Sequence, residues 1–179
     1  MEELKAQLET LHAESFGWAL CCCRRDRHRA EEVLQEAYLK VLSGKARHGG
    51  EGAFKTWLFA VIRLTARDEA RRHWLRQLRL IRAAKPEATT APYVPSDSAA
   101  LTKALDALPA RQRQTLHLVF YQELSIAQAA GVMGISIGSA RTHYERGKAA
   151  LRQALAGQNF FDEETDHGSG RQKAALSVL

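Results

Sequence analysis

The residues best suited to chemistry lie in the stretch Ser139-Ala-Arg-Thr-His-Tyr-Glu-Arg146. At about 100° per residue in a helix, Ser139, Thr142 and Arg146 share one face, flanked by Arg141 and His143. Ile137, Ala140, Tyr144, Gly147 and Leu151 fall on the opposite face and are expected to pack inward. Long donors on one side of a helix suit recognition rather than bond-making. An arginine reads a guanine edge with two hydrogen bonds, and serine or threonine contacts a base or a phosphate. Glu145 either accepts from a cytosine amine or keeps a phosphate away.

Two further sets carry charge at helical spacing. Arg63, Arg67, Arg71, Arg72, Arg76 and Arg79 recur at short steps after Trp57, a basic stripe suited to the phosphates of a duplex. Trp57 itself belongs to the apolar repeat and is expected in the core rather than as a stacking platform. Glu31, Glu32 and Glu36 offer carboxylates to a basic surface. No nucleophile, base and orienting group come together by spacing, so the chain does not read as an enzyme. Cys21, Cys22 and Cys23 are consecutive. Adjacent helical positions point about 100° apart and do not converge on a metal, so packed thiols are expected, with a redox or metal switch as the alternative reading. No metal or cofactor is implied.

The elements that must position these groups are helical throughout, and the expected fold class is all-α. Val33, Leu34, Ala37, Tyr38, Val41 and Leu42 predict an amphipathic helix over about 28–42, stopped by Ser43-Gly44. A Gly-rich basic loop follows, and helical spacing resumes from Phe54 through Trp74 to about Arg82. Residues 83–100 hold three of the four prolines and read as an extended linker. Pro109 suits a helix start. Ile126, Ala129, Ala130 and Met133 give a short helix its inner face. Ala130 and Gly131 are expected to let it approach its neighbour, and Gly134 permits a sharp turn. This is a helix-turn-helix arrangement, whose second helix enters the major groove. The expected organisation is a helical domain over 1–82, a linker over 83–100, a helix-turn-helix domain over 101–156 and a tail over 157–179.

Charge agrees with a polyanionic partner. The 179 residues carry a net +6. Residues 1–82 hold 16 Lys and Arg against 11 Asp and Glu, and residues 101–156 hold 7 against 3, so both blocks are basic. No apolar run reaches the roughly 18 residues of a membrane span. The start, MEELKAQLETLHAE, is acidic and amphipathic, unlike a secretory signal. No membrane insertion is expected, and the expected compartment is the cytoplasm.

The stretch LPARQRQTLHLVFYQELSIAQAAGVMGISIGSARTHYERGKAAL resembles the promoter-reading C-terminal domain of extracytoplasmic-function sigma factors of the sigma-70 family. RAEEVLQEAYLKVL resembles the helix by which that family docks on the polymerase clamp. GAFKTWLFAVIRLTARDEARRHW resembles the segment that opens and reads the −10 element. The resemblance spans roughly residues 10–155, with both halves in the family's order.

It implies a factor that joins core RNA polymerase and directs it to promoter DNA. Core docking falls to Glu31, Glu32, Leu34, Gln35, Glu36, Tyr38 and Leu39. The −10 side falls to His48, Phe54, Lys55, Thr56, Arg63, Leu64, Arg67, Arg71 and Arg72, and the −35 side to Ser139, Arg141, Thr142, His143, Glu145 and Arg146. An anti-sigma factor is the further partner the family implies. Leu64, His48, Gln128-Ala129-Ala130, His143 and Glu145 depart from the residues more usual there, and these departures bear on which promoter is read. Two other readings fit part of the chain. One is a helix-turn-helix regulator that never enters polymerase, which leaves the 29–42 match without a purpose. The other is a sigma-like protein that sequesters an anti-sigma factor.

Overall fold

The structure is a computed structural model, described over residues 2–50, 52–81 and 98–156. It is all-helical and divides into two compact units, residues 1–93 and 94–179. Unit 1 contains α1 (Glu2–Thr10), α2 (His12–Cys22), α3 (Arg27–Leu42) and α4 (Phe54–Ile81). Unit 2 contains α5 (Ser98–Ala107), α6 (Ala110–Leu116), a π-helical turn (His117–Tyr121), α7 (Ile126–Met133) and α8 (Ile137–Leu155). Among the described residues no helix is long and apolar enough to cross a membrane.

In unit 1, α2, α3 and α4 pack on one another around Trp18, Leu58, Phe59 and Ile62, all fully buried. The stripe on α3 runs through Ala30, Val33, Leu34, Ala37 and Val41, the three- and four-residue spacing expected of a buried helix face. Asp26 caps α3, its side chain accepting from the backbone N–H of Arg29 at 3.0 Å. The corner before it holds Arg24 and Arg25 at φ 55° and 64°, a left-handed pair that reverses the chain between α2 and α3. Cys21 and Cys23 are buried beside this corner and Cys22 is half-buried. Burial pushes the Cys23 thiol up to about 11, leaving it protonated and unreactive at neutral pH.

In unit 2, Leu101, Ala104, Leu105, Leu108, Leu116 and Leu155 form one core cluster. Ala129, Ala130, Val132, Met133 and Ala140 are buried where α7 meets α8. Buried Arg113 donates from Nη1 to the carbonyl of Leu108 at 3.3 Å, placing a cation just past the C-terminal end of α5. Thr115 donates to the carbonyl of Arg111 at 2.7 Å and lies 3.2 Å from the Met133 sulfur, joining α6 to α7.

Three expectations change here. Helix α5 starts at Ser98, inside the segment read as linker; residues 82–97 lie outside the described ones, as does the tail from 157. Ile137 is 53% exposed rather than inward, because the first turn of α8 is left uncovered on that side. Gly131 has no neighbour within 4 Å of where a side chain would stand, so it mediates no close approach. Gly147 does: a Cβ there would meet Leu116 Cδ1 at 2.9 Å and Gln112 Cβ at 3.4 Å, so α8 crosses α6 at this point.

Candidate polymerase- and DNA-binding surfaces

The helix-turn-helix is built by two serine caps and one glycine. Ser125 caps α7 in a reciprocal box: its Oγ accepts from the Gln128 N–H at 3.2 Å, and Gln128 Oε1 accepts from the Ser125 N–H at 2.8 Å. Gly134 ends α7 at φ 60°, with Ile135 N–H donating to Ala130 O and Gly134 N–H to Gly131 O. Only a residue without a Cβ takes that left-handed turn at little cost. Ser136 then caps α8 by accepting from the Ser139 N–H at 3.1 Å. The turn is thus fixed by local chemistry at both ends.

Along α8 the buried Ala140, Gly147 and Leu155 set the rotation, and Ser139, Arg141, Thr142, Glu145 and Arg146 emerge exposed. Thr142 donates its hydroxyl to Gly138 O at 3.0 Å, leaving its oxygen to accept. Ser139 Oγ is 2.9 Å from Ser136 Oγ, so its hydroxyl serves the helix cap. Glu145 lies 3.8 Å from Lys148, whose ammonium also sits over the Tyr144 ring at 4.9 Å. His143 is half-buried on the flank. Burial lowers its pKa first, and the nearby Arg111 and Arg146 charges lower it further.

On α3, Glu31, Glu32 and Gln35 are exposed, Glu36 is half-buried, and Leu39 is 61% exposed. Each acid has a neighbour on its own helix: Arg27 at 3.0 Å from Glu31, His28 at 3.5 Å from Glu32 and Lys40 at 3.8 Å from Glu36. The exposed Arg27–Glu31 pair is worth at most about 1 kcal/mol, so exchanging it for an external cation costs little. Leu34 is a correction. At 4% exposure it belongs to the core stripe and offers nothing to a partner. Tyr38 is half-buried, its hydroxyl 3.5 Å from both Leu8 O and His12 Nδ1.

Helix α4 carries the other set. Arg67, Arg71, Arg72 and Arg76 are exposed, Arg63 is half-buried, and Leu64 is 48% exposed. The side chain of Arg79 lies outside the described ones. Glu69 pairs with both Arg72 (3.1 Å) and Arg76 (2.8 Å), holding two guanidinium groups on one side of the helix. Between α3 and α4 an open groove of about 440 Å³ is lined by Glu36, Lys40, Asp68, Arg71, Arg72 and Leu75. Spacing alone did not reveal that the acidic and basic sets meet there.

The loop before α4 is closed by aromatic packing. His48 lies 5.8 Å from Phe54 edge-on and 5.3 Å from Trp57, and Phe54 and Trp57 are themselves 5.3 Å apart. Trp57 is therefore half-buried against this loop rather than deep in the core. Two more residues expected at the surface turn inward. Lys55 makes an ion pair with Glu14 at 2.7 Å and covers the Phe59 ring at 5.6 Å, while the Thr56 hydroxyl is shut off from solvent. Lys55 sits beside α2, which supplies the carboxylate; no local spacing shows that. Among the described residues no group of three or more His, Cys, Asp or Glu is disposed to hold a metal.

Unit 1 thus sets an acidic helix beside an arginine helix, and unit 2 carries a helix-turn-helix. Residues 15–76 match Sigma-70 region 2, and residues 98–151 match Sigma-70, region 4. The RNA polymerase sigma factor CarQ of Myxococcus xanthus is 30% identical over 80% of this chain and 84% of its own length. The ECF RNA polymerase sigma factor SigF of Caulobacter vibrioides is 33% identical over 70% of each chain. SigX of Bacillus subtilis, also an ECF RNA polymerase sigma factor, is 27% identical over 91% of this chain and 90% of its own. The chain belongs to the extracytoplasmic-function sigma factors: it is an alternative sigma factor that binds core RNA polymerase and directs initiation at specific promoters. Its fold is similar to that of the sigma factor RpoE of Bartonella quintana, solved with the anti-sigma factor NepR (TM-score 0.73, 22% identity, 88% of this chain and 99% of that one). It is also similar to CnrH, solved with the cytosolic domain of CnrY (TM-score 0.61, 19% identity, 88% and 91%).

Proposed function

We propose a division of labour between the two units. Unit 1 docks on core polymerase through the exposed face of α3, with Glu31, Glu32, Gln35, Glu36 and Leu39 in contact and Tyr38 at the edge. The arginines of α4, with Leu64 and the loop closed by His48 and Phe54, hold the −10 element as it opens. Unit 2 reads the −35 element with Arg141, Thr142, Glu145 and Arg146. The observation that carries this reading is α8: a serine-capped helix whose buried residues turn its donors outward as one set. Region 2 spans residues up to about 82 and region 4 residues from about 98, with a connecting segment and a C-terminal tail as separate parts.

The protein has no catalytic role of its own; polymerase supplies the chemistry. It works in the cytoplasm, where polymerase and promoter are. An anti-sigma factor holds it back between stimuli by covering the docking and DNA faces, a partner supported by the complexes in which RpoE and CnrH were solved. Transcription in vitro with purified core polymerase on a genomic promoter library tests the whole assignment. Promoter-specific transcripts that require this chain are expected. DNA binding without any transcript would instead make it a regulator independent of polymerase.

A further inference from the structure

The first turn of α8 offers little polar chemistry to a partner. Ser136 uses its hydroxyl inside the protein: its Oγ accepts from the Ser139 N–H at 3.1 Å and donates to Ser139 Oγ at 2.9 Å. Gly138 has no side chain, and a Cβ there would meet nothing within 4 Å. Ala140 is fully buried. On the side of the turn away from Ser139 stands Ile137, 53% exposed. Arg141, also exposed, lies one turn along on the same edge of the helix. Among the described residues of unit 2 the other exposed large apolar side chain is Phe120, whose ring stacks on Tyr144 at 5.6 Å. Ile137 is thus an isoleucine left in water at the start of the recognition helix, next to the outward donors.

Residues at the start of such a helix meet base edges in the major groove. Those edges carry hydrogen-bonding groups and one apolar mark, the C5 methyl of thymine. An isoleucine side chain neither donates nor accepts, so that methyl is the feature it can select. Gly138 keeps the turn thin enough for close approach to the bases. We propose that Ile137 reads one thymine of the −35 element through its C5 methyl. The contact is continuous, through Arg141, with the donor set of Thr142, Glu145 and Arg146. A cytosine at that position lacks the methyl and brings an amine that Ile137 leaves unpaired. The inference rests on the reading of unit 2 as the part that binds the −35 element, and it makes Ile137 a specificity-determining residue there.

The test uses holoenzyme formed from the full chain and core polymerase, with a labelled promoter duplex that this holoenzyme selects from a random pool. Each −35 thymine is replaced in turn by deoxyuracil, which removes the methyl and keeps the base pair. At one position the parent is expected to bind about three- to fivefold more weakly, the loss of one buried methyl. Ile137→Ala should lose a similar factor on the thymine duplex and be indifferent to uracil at that position. Its thermal denaturation should match the parent's, because the side chain is exposed. A parent insensitive to uracil throughout, a selected −35 element without thymine, or an Ile137→Ala chain with the parent's uracil response would each overturn the inference. Promoter reading by unit 2 would then still stand. Failure to select any duplex would remove both.

Discussion

Trp18 of α2 donates its indole N–H to the carbonyl of Phe59 in α4 across 2.9 Å, and neither side chain has any exposed surface. Their rings stack at 6.1 Å in the same place. This contact fixes the register of α4, and hence of its arginines, against the rest of unit 1. Trp18→Phe removes the donor and leaves a gap, and is expected to cost about 1–3 kcal/mol. Thermal denaturation measures the loss; an unchanged melting transition would show that the hydrogen bond is not what holds the register.

Reversing Glu32 and Glu36 to Lys tests the docking face of α3. Glu32 has exposed His28 and Glu36 has half-buried Lys40 as a same-helix neighbour, so the fold should survive with a change within about 1–2 kcal/mol. Competition with a labelled sigma factor for core polymerase should weaken by tenfold or more. Equal competition by the double variant would remove the polymerase-docking role from this face.

Arg146→Ala separates base reading from phosphate contact. If Arg146 reads a base edge, the change costs about 1–3 kcal/mol and relaxes preference at one upstream position. Binding across a panel of promoter variants gives the answer: an equal loss on every sequence would mean that the guanidinium touches only phosphate.

Half-buried His117 is expected to contribute to the acid sensitivity of unit 2. Burial pushes this ring, 4.9 Å from Tyr121 and 3.4 Å from Gln122 Nε2, down to about 3. An unfolded histidine titrates near 6.5. The depressed value means that its contribution is complete above about pH 6.5 and is lost as the pH falls towards 3. At about pH 4.5 the loss is at most about 2–3 kcal/mol. His117→Leu should flatten this part of the pH profile in chemical denaturation. A profile unchanged by the substitution would place the acid sensitivity elsewhere.

The helices and their order were legible because each amphipathic run stabilises itself in a pattern set by local periodicity. The turn was legible from Gly134, while the caps by Ser125, Gln128 and Ser136 escaped although they act on backbone groups within five residues. What else escaped depends on which faces meet. The repeat through Val33, Leu34, Ala37 and Val41 shows a buried stripe, yet Leu34 was also assigned to the surface, because a family pattern does not say which side of a residue is covered. Gly131 and Gly147 look alike as small residues in helices; only the crossing of α6 and α8 distinguishes them. The pairing of Lys55 with Glu14 and the capture of Leu108 O by Arg113 join residues that local spacing leaves undecided. Ile137 has the type of a core residue at a place where no neighbour arrives.

The rotation of α8 has an evolutionary consequence. Ala140, Gly147 and Leu155 bear the packing, whereas Arg141, Thr142, Glu145 and Arg146 bear none of it. Substitutions at such exposed positions usually shift stability by no more than about 0.5 kcal/mol. With these residues reading the −35 element as proposed, descendants of this gene can wander through promoter preferences one residue at a time without crossing an unfolded ancestor. On that reading, a duplicated copy can acquire new targets while its scaffold stays as it is.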